Sequence, residues 1–115
     1  MHELGIANSV LEAVCGEAGK HAGARVVKVG LRVGELAGVD PDALRFSFEC
    51  LVKGTPLDPL PLEIEFCPRQ QQCPACGHAF RVADYETSCP KCGAAPTECI
   101  GGTELELAYL ELEDK

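Results

Sequence analysis

Apolar residues recur at three- and four-residue spacings from the start of the chain: Leu4, Ala7, Leu11, Val14, Cys15 and Ala18. That period sets them on one face of a helix of about five turns. Gly19, Lys20, His21, Ala22 and Gly23 end it, with cations at the close and glycine beyond, so His21 reads as a helix-terminal charge. From Arg25 to Val33 the period drops to two, with Val27, Val29, Leu31 and Val33 on one side and Lys28, Gly30 and Arg32 on the other, a half-buried strand. Gly34 to Val39 breaks the alternation, and its one carboxylate, Glu35, reads as solvated. Asp40-Pro41 then opens a second helix, because the aspartate side chain caps free amides and proline at the first helical position loses nothing by lacking N–H. Its buried face is Ala43, Leu44, Phe48, Leu51 and Val52, and it stops at Lys53-Gly54.

The proline-rich stretch Thr55 to Pro61 excludes regular structure and delivers the chain to Leu62-Glu63-Ile64-Glu65-Phe66, a second strand with its apolar residues inward. A third strand follows Gly101-Gly102, where Leu105, Leu107 and Tyr109 alternate with Glu104 and Glu106. A strand with one wet face is not stable as a tail, so the economical arrangement pairs it with the earlier strands. The expected architecture is α+β: a small three-stranded sheet with two helices on one face, carrying whatever lies between the second and third strands as an insert. The domain division expected on this basis is residues 1–66 plus 103–115 for the α+β unit and 67–102 for the insert.

That insert contains Cys73-Pro74-Ala75-Cys76 and, after twelve residues, Cys89-Pro90-Lys91-Cys92. Two CxxC pairs at that separation match a four-thiolate zinc ribbon, in which each pair forms a tight knuckle. Gly77 and Gly93 follow the second cysteine of each pair, where a positive φ keeps the chain clear of the metal. Disulfides are the competing reading, and it yields to zinc in a chain expected where thiols stay reduced. Four thiolates leave no open coordination position, so the zinc expected at Cys73, Cys76, Cys89 and Cys92 is structural. Residues 67–102 hold few large apolar side chains, chiefly Phe80, Val82, Tyr85 and Ile100. Metal binding worth ~10–16 kcal/mol in small zinc modules replaces the missing core. Of the other cysteines, Cys67 and Cys99 read as spare thiols, and Cys15 and Cys50, inside helical patterns, as small buried hydrophobes.

At 115 residues the chain has room for one modest domain and a small module. The net charge of −8 is unevenly spread. Glu104, Glu106, Glu111, Glu113 and Asp114 against Lys115 leave −4 at the C-terminal end, whereas Arg69, Arg81 and Lys91 balance Asp84, Glu86 and Glu98 in the insert. No basic stripe marks a nucleic-acid partner. No basic n-region, long apolar run or spanning segment is present, so no membrane association is expected and the location expected is cytoplasmic. No Ser/His/Asp set or carboxylate pair points to an enzyme.

The N-terminus adds a second candidate site. A free α-amine at Met1, the next backbone amide nitrogens and the imidazole of His2 are adjacent, and together they can wrap a metal in the planar nitrogen set that suits Ni(II) or Cu(II). Met1-His2-Glu3-Leu4 opening a helix, Arg32-Val33-Gly34-Glu35-Leu36, Pro41 to Phe48, the paired CxxC motifs and Gly101-Gly102 before an acidic strand resemble, in order and spacing, the HypA/HybF family of nickel-insertion accessory proteins for [NiFe]-hydrogenase. The resemblance implies a nickel metallochaperone with two sites. Transient Ni(II) would sit at His2, with the Met1 amine and the Glu3 backbone as candidate co-ligands, and structural Zn(II) at the four cysteines. It also implies a HypB-type GTPase and the [NiFe]-hydrogenase large subunit as partners. A homodimer formed by exchange of the last strand is compatible with a flexible insert before it. Gly5, where serine is common, the segment Pro56 to Pro61, and Cys67 and Cys99 depart from the family pattern.

Two other readings compete. A zinc-ribbon interaction module without nickel function would bind one zinc and nothing at the N-terminus. A thiol enzyme using a CxxC pair for redox chemistry would need exposed, low-pKa cysteines at a helix terminus, and matched pairs each followed by glycine fit metal better.

Overall fold

The computed structural model describes residues 2–115, with side chains from Glu3 onward. The order of elements is α1 (His2–Ala18), β1 (Ala24–Gly34), a single 3-10 turn (Glu35–Ala37), α2 (Pro41–Val52), β2 (Leu62–Cys67), β3 (Gln70–Gln72), β4 (Ala79–Arg81), β5 (Glu98–Gly101) and β6 (Leu105–Asp114). They make two three-stranded sheets, β2-β1-β6 and β4-β3-β5, in a molecule 55 Å long. The first is the expected sheet with two helices, and the second is built within the insert.

β1 is central to the first sheet. It runs parallel to β2, with α2 as the crossover, and antiparallel to β6. α1 and α2 pack against each other and over this sheet. The core they enclose comes from all five elements: Ala7 and Val14; Val29, Leu31 and Val33; Leu44, Phe48 and Val52; Leu62; and Leu107 and Leu110 from the flank. Asp40 caps α2 as its sequence dictates, its carboxylate accepting from the amides of Asp42 at 3.0 Å and Ala43 at 3.3 Å.

Several facing assignments differ from the simple alternation, each for an identifiable reason. The β1–β6 register slips at Val27 and again at Ala108. Each extra residue is a bulge that reverses which face the following side chains take. Val26 therefore enters the core while Val27 is only half-buried, and Leu105 and Leu107 share the inner face as expected, but beyond the bulge Leu110 and Leu112 take the core side in place of Tyr109. Tyr109 turns to the outer face, where its ring fills the space above Gly30, and its hydroxyl donates to Glu63 at 3.1 Å. Along β2, an edge strand, cover thins toward the insert: Leu62 is buried, Ile64 half-buried and Phe66 half exposed. On α1 the buried stripe is Ala7, Leu11, Val14 and Ala18 with Ile6 and Val10, whereas Leu4 and Cys15 lie exposed. Cys50 is exposed as well. The two helical cysteines are surface thiols and not core residues, because both point away from the α1–α2–sheet contact.

The two sheets meet at a tight joint. The amides of Gly34 and Leu36 donate to the carbonyls of Glu104 (2.6 Å) and Gly102 (2.7 Å). Glu35 spans the junction, its carboxylate accepting from the Arg69 amide at 3.0 Å. This exposed group is thus a strap and not a merely solvated charge. Gly102, at φ +106°, lies so close to Arg69 that a Cβ there would come within 2.7 Å of the Arg69 Cα.

Candidate metal centre

The second sheet has almost nothing apolar to hold it. Phe80 and Val82 are half-buried, and Tyr85 and Ile100 are exposed. Its buried side chains are Cys73, Cys89 and Gln71. Gln71 is at the middle of β3, between β4 and β5, and its side-chain amide donates to the carbonyl (3.1 Å) and hydroxyl (3.0 Å) of Thr97. The Thr97 hydroxyl in turn donates to the Thr87 carbonyl. Polar bonds thus stitch the strands to the segment that leads into Cys89. Three consecutive glutamines carry no strand signature, and β3, like β4 and β5, escaped the pattern of apolar residues because its fold rests on hydrogen bonds and on the cysteines.

The two CxxC segments fold into matching knuckles. In the first, the Cys73 amide donates to the His78 carbonyl (2.9 Å) and the Gly77 amide to the Cys73 carbonyl (2.8 Å). In the second, the Cys89 amide donates to Ala94 (2.9 Å) and the Gly93 amide to Cys89 (2.8 Å). Gly77 and Gly93 have φ of 78° and 77°, the left-handed turn expected after each pair. The His78 ring stacks on Phe80 at 6.0 Å, next to the first knuckle.

The knuckles bring four sulfurs together. Cys73 Sγ is 3.6 Å from Cys92 Sγ, Cys76 Sγ is 3.7 Å from Cys89 Sγ, and all four lie within 4.8 Å of one another. A tetrahedral site with metal–sulfur bonds of ~2.3 Å has sulfurs ~3.8 Å apart, so the cluster fits zinc and is too open for disulfides, which need ~2.0 Å. Cys73 and Cys89 are buried, and Cys76 and Cys92 exposed. Cys67 and Cys99 lie outside the cluster, on β2 opposite Gly34 and on β5 opposite Gln71.

The thiols are graded by their surroundings. The Cys76 amide, bonded to the sulfur, is the main influence that holds Cys73 below the ordinary thiol range, against burial. Burial is the largest influence on Cys89 and opposes ionisation, but the amides of Cys92 and Lys91 and the Cys76 and Cys92 thiols outweigh it and bring the group to about 7. The Ala94 amide favours the Cys92 thiolate, yet neighbouring Cys73, burial, and then Cys76 and Cys89 push it to about 11. Negative charge thus settles first on the leading cysteine of each knuckle, where backbone N–H groups converge. Four thiolates this close would need a cation among them.

The N-terminal candidates are placed less fully. Met1 and the side chain of His2 lie outside the described residues. Glu3, in the first turn of α1, is half-buried, and its carboxylate accepts from the Asp40 amide at 3.5 Å, linking the start of α1 to the cap of α2.

A family model described as "Hydrogenase/urease nickel incorporation, metallochaperone, hypA" matches residues 1–112. The chain belongs to the HypA family. A hydrogenase maturation factor HypA from a Roseiflexus species is 45% identical over 115 residues, covering 99% of this chain and 94% of the relative. One from Geobacter metallireducens is 42% identical over 113 residues, covering 98% and 100%. Among solved structures, a HypA protein in solution superposes with a TM-score of 0.73 at 24% identity, covering 100% of this chain and 98% of that one. The Ni metallochaperone HypA from Helicobacter pylori gives 0.63 at 24%, with 98% of each chain covered. At that identity the two structures speak to the fold alone, and they do so over essentially the whole chain. Among the described residues no helix is long and apolar enough to cross a membrane.

Proposed function

We propose that this HypA-family chain is a nickel metallochaperone for hydrogenase maturation and not an enzyme. The observation that carries this reading is the match of residues 1–112 to a nickel-incorporation family, with hydrogenase maturation factors as full-length relatives. Nickel is cargo, held by His2 with the Met1 amine and the Glu3 backbone and then passed on. A HypB-type GTPase and the [NiFe]-hydrogenase large subunit are the partners that the family resemblance implies. In the insert Cys73, Cys76, Cys89 and Cys92 hold zinc, which supplies folding free energy and no chemistry. The division of labour we propose gives nickel to residues 1–66 with 103–115 and zinc to residues 67–102. The sulfur spacing supports the zinc half of this reading.

The test is metal analysis of the purified, untagged chain with and without added nickel. One zinc per chain at all times, and one further nickel when it is supplied, is the expected result. A Gly-Ser extension before Met1 then isolates the α-amine, since it keeps His2 but turns the amine into an amide. Nickel binding should fall at least about tenfold while zinc stays. A chain that binds one zinc and no nickel overturns the reading in favour of a zinc-ribbon interaction module.

A further inference from the structure

The exposed apolar side chains of the first sheet and its two helices are gathered at one end. Among the described residues of that unit, the large ones open to solvent are Leu4, Leu36, Phe46, Phe66, Leu105 and Tyr109. Tyr109 lies on the outer face over Gly30, and Phe46 on the solvent side of α2, away from buried Leu44 and Phe48. The other four belong to the end where the insert joins. Phe66 and Leu105 both stand opposite Val33 and share its inner face, so they flank it from the two neighbouring strands, ~10 Å apart. Leu36 is in the 3-10 turn that directly follows β1. Leu4 is in the first turn of α1, which runs back along β1 from the turn at residues 19–23. Two contacts fix that first turn at the joint end: the Glu3 carboxylate meets the Asp40 amide at 3.5 Å, and Gly5 and Ile6 border the same apolar groove as Leu105. At the opposite end, residues 19–24 and 53–61, no described large apolar side chain is exposed.

The gathering coincides with the start of α1, whose first residue is His2. Core packing accounts for the buried leucines and not for these four. On the proposed reading that nickel is held by His2, the Met1 amine and the Glu3 backbone, on which the docking inference rests, nickel arrives and leaves by exchange of ligands. Metal–nitrogen bonds are ~2 Å long, so the donor atoms of a partner have to come almost into contact with this terminus. The partner therefore covers the joint end of the unit. Apolar side chains that close around such a contact keep water out of it and supply the buried area that holds it. We propose that Leu4, Leu36, Phe66 and Leu105 form the docking face for the protein that exchanges nickel with this chain, and that this partner presents a complementary apolar rim around its own nickel ligands.

The probes are the two partners that the family resemblance implies, the cognate HypB-type GTPase and the metal-free [NiFe]-hydrogenase large subunit. Each is titrated by calorimetry with the full-length, untagged chain. Leu36→Gln, Phe66→Thr and Leu105→Thr remove apolar surface at the joint end, whereas Phe46→Gln removes an exposed ring from the solvent side of α2. None replaces a proposed nickel or zinc ligand. Each of the first three should weaken binding of at least one partner at least about tenfold, and Phe46→Gln less than about twofold. Zinc content, and nickel titrated into each variant alone, should match the wild type. That titration separates the two readings. A chain that binds no nickel, but whose three variants still lose the partner, overturns the nickel reading and supports the docking face. Nickel bound as in the wild type, with partner affinity unchanged in all three variants, overturns the docking face and leaves the nickel reading intact. Failure of both partners to bind the wild-type chain overturns it too, as does an equal loss in Phe46→Gln. Sedimentation that reveals a dimer broken by the same three substitutions also overturns it, since the occupant would then be a second copy.

Discussion

Each of the two sheets has three strands, but β2-β1-β6 encloses Phe48, Leu31, Leu44 and their neighbours beneath two helices, whereas β4-β3-β5 buries little beyond Cys73, Cys89 and Gln71. Burying a Val, Leu or Phe side chain is worth about 1.5–3 kcal/mol, and ten such residues give the first sheet an apolar core of its own. The second has strands of three or four residues and no comparable reservoir. What it has is four sulfurs at metal-binding spacing and a glutamine that knits its strands to the loop beyond. Two three-stranded sheets can thus rest on two different sources of free energy within one short chain, and perturbations should separate them.

The largest effect is expected from Cys92→Ala. Three thiolates with no core behind them should release zinc, and residues 67–102 should lose their dispersed NMR signals while those of Val29, Leu31 and Phe48 persist. Wild-type protein should lose zinc on acidification too, because metal binding requires all four thiols to give up their protons, Cys92 from a pKa of about 11 in the metal-free site. Retained stoichiometric zinc in Cys92→Ala would break the contrast between the sheets.

The converse perturbation is Phe48→Ala, which empties the centre of the first core. A loss of about 3–5 kcal/mol is expected in denaturant unfolding of the first sheet, with zinc still bound. Loss of zinc in this variant would show that the two units unfold as one.

Gly102→Ala probes the joint. The new Cβ would crowd Arg69 at a backbone conformation that L residues rarely adopt, so a cost of about 1–3 kcal/mol is expected, with amide shift changes at Gly34, Leu36 and Arg69 and not at the core. Changes confined to the insert would mean that the joint does not bear on the first sheet.

The smallest effect belongs to the outer face. Lys28, first through a direct hydrogen bond, and then the Tyr109 hydroxyl hold the Glu63 carboxylate below its ordinary range. Because the folded pKa lies below the unfolded one, the stabilisation is present above the unfolded value and disappears as pH falls through the folded value. Glu63→Gln should therefore lower the Tm slightly at neutral pH, and the two melting curves should merge in acid. A gap that persists below the carboxylate range would trace the effect to packing.

Period and spacing in the sequence determine α1, β1, the Asp40-capped α2, β2, β6 and the pairing of Cys73 and Cys76 with Cys89 and Cys92. These are local consequences of which residues stand three, four or two apart, and of how a CxxCG segment turns. The tertiary structure decides what depends on a neighbour. The bulges at Val27 and Ala108 arise from fitting β6 to β1, and they alone determine that Tyr109 faces outward over Gly30 while Leu110 and Leu112 face in. Exposure of Cys15 and Cys50 reflects where α1 and α2 meet, which a single helix's periodicity does not contain. The strand formed by Gln70–Gln72 exists because β4 and β5 flank it and Thr97 satisfies Gln71, and the role of Glu35 exists because Arg69 returns to within a hydrogen bond of it. Intrinsic preference and period act over a few residues, whereas a register, a bulge or a strap is a choice between partners far apart in the chain, and only the folded arrangement makes it.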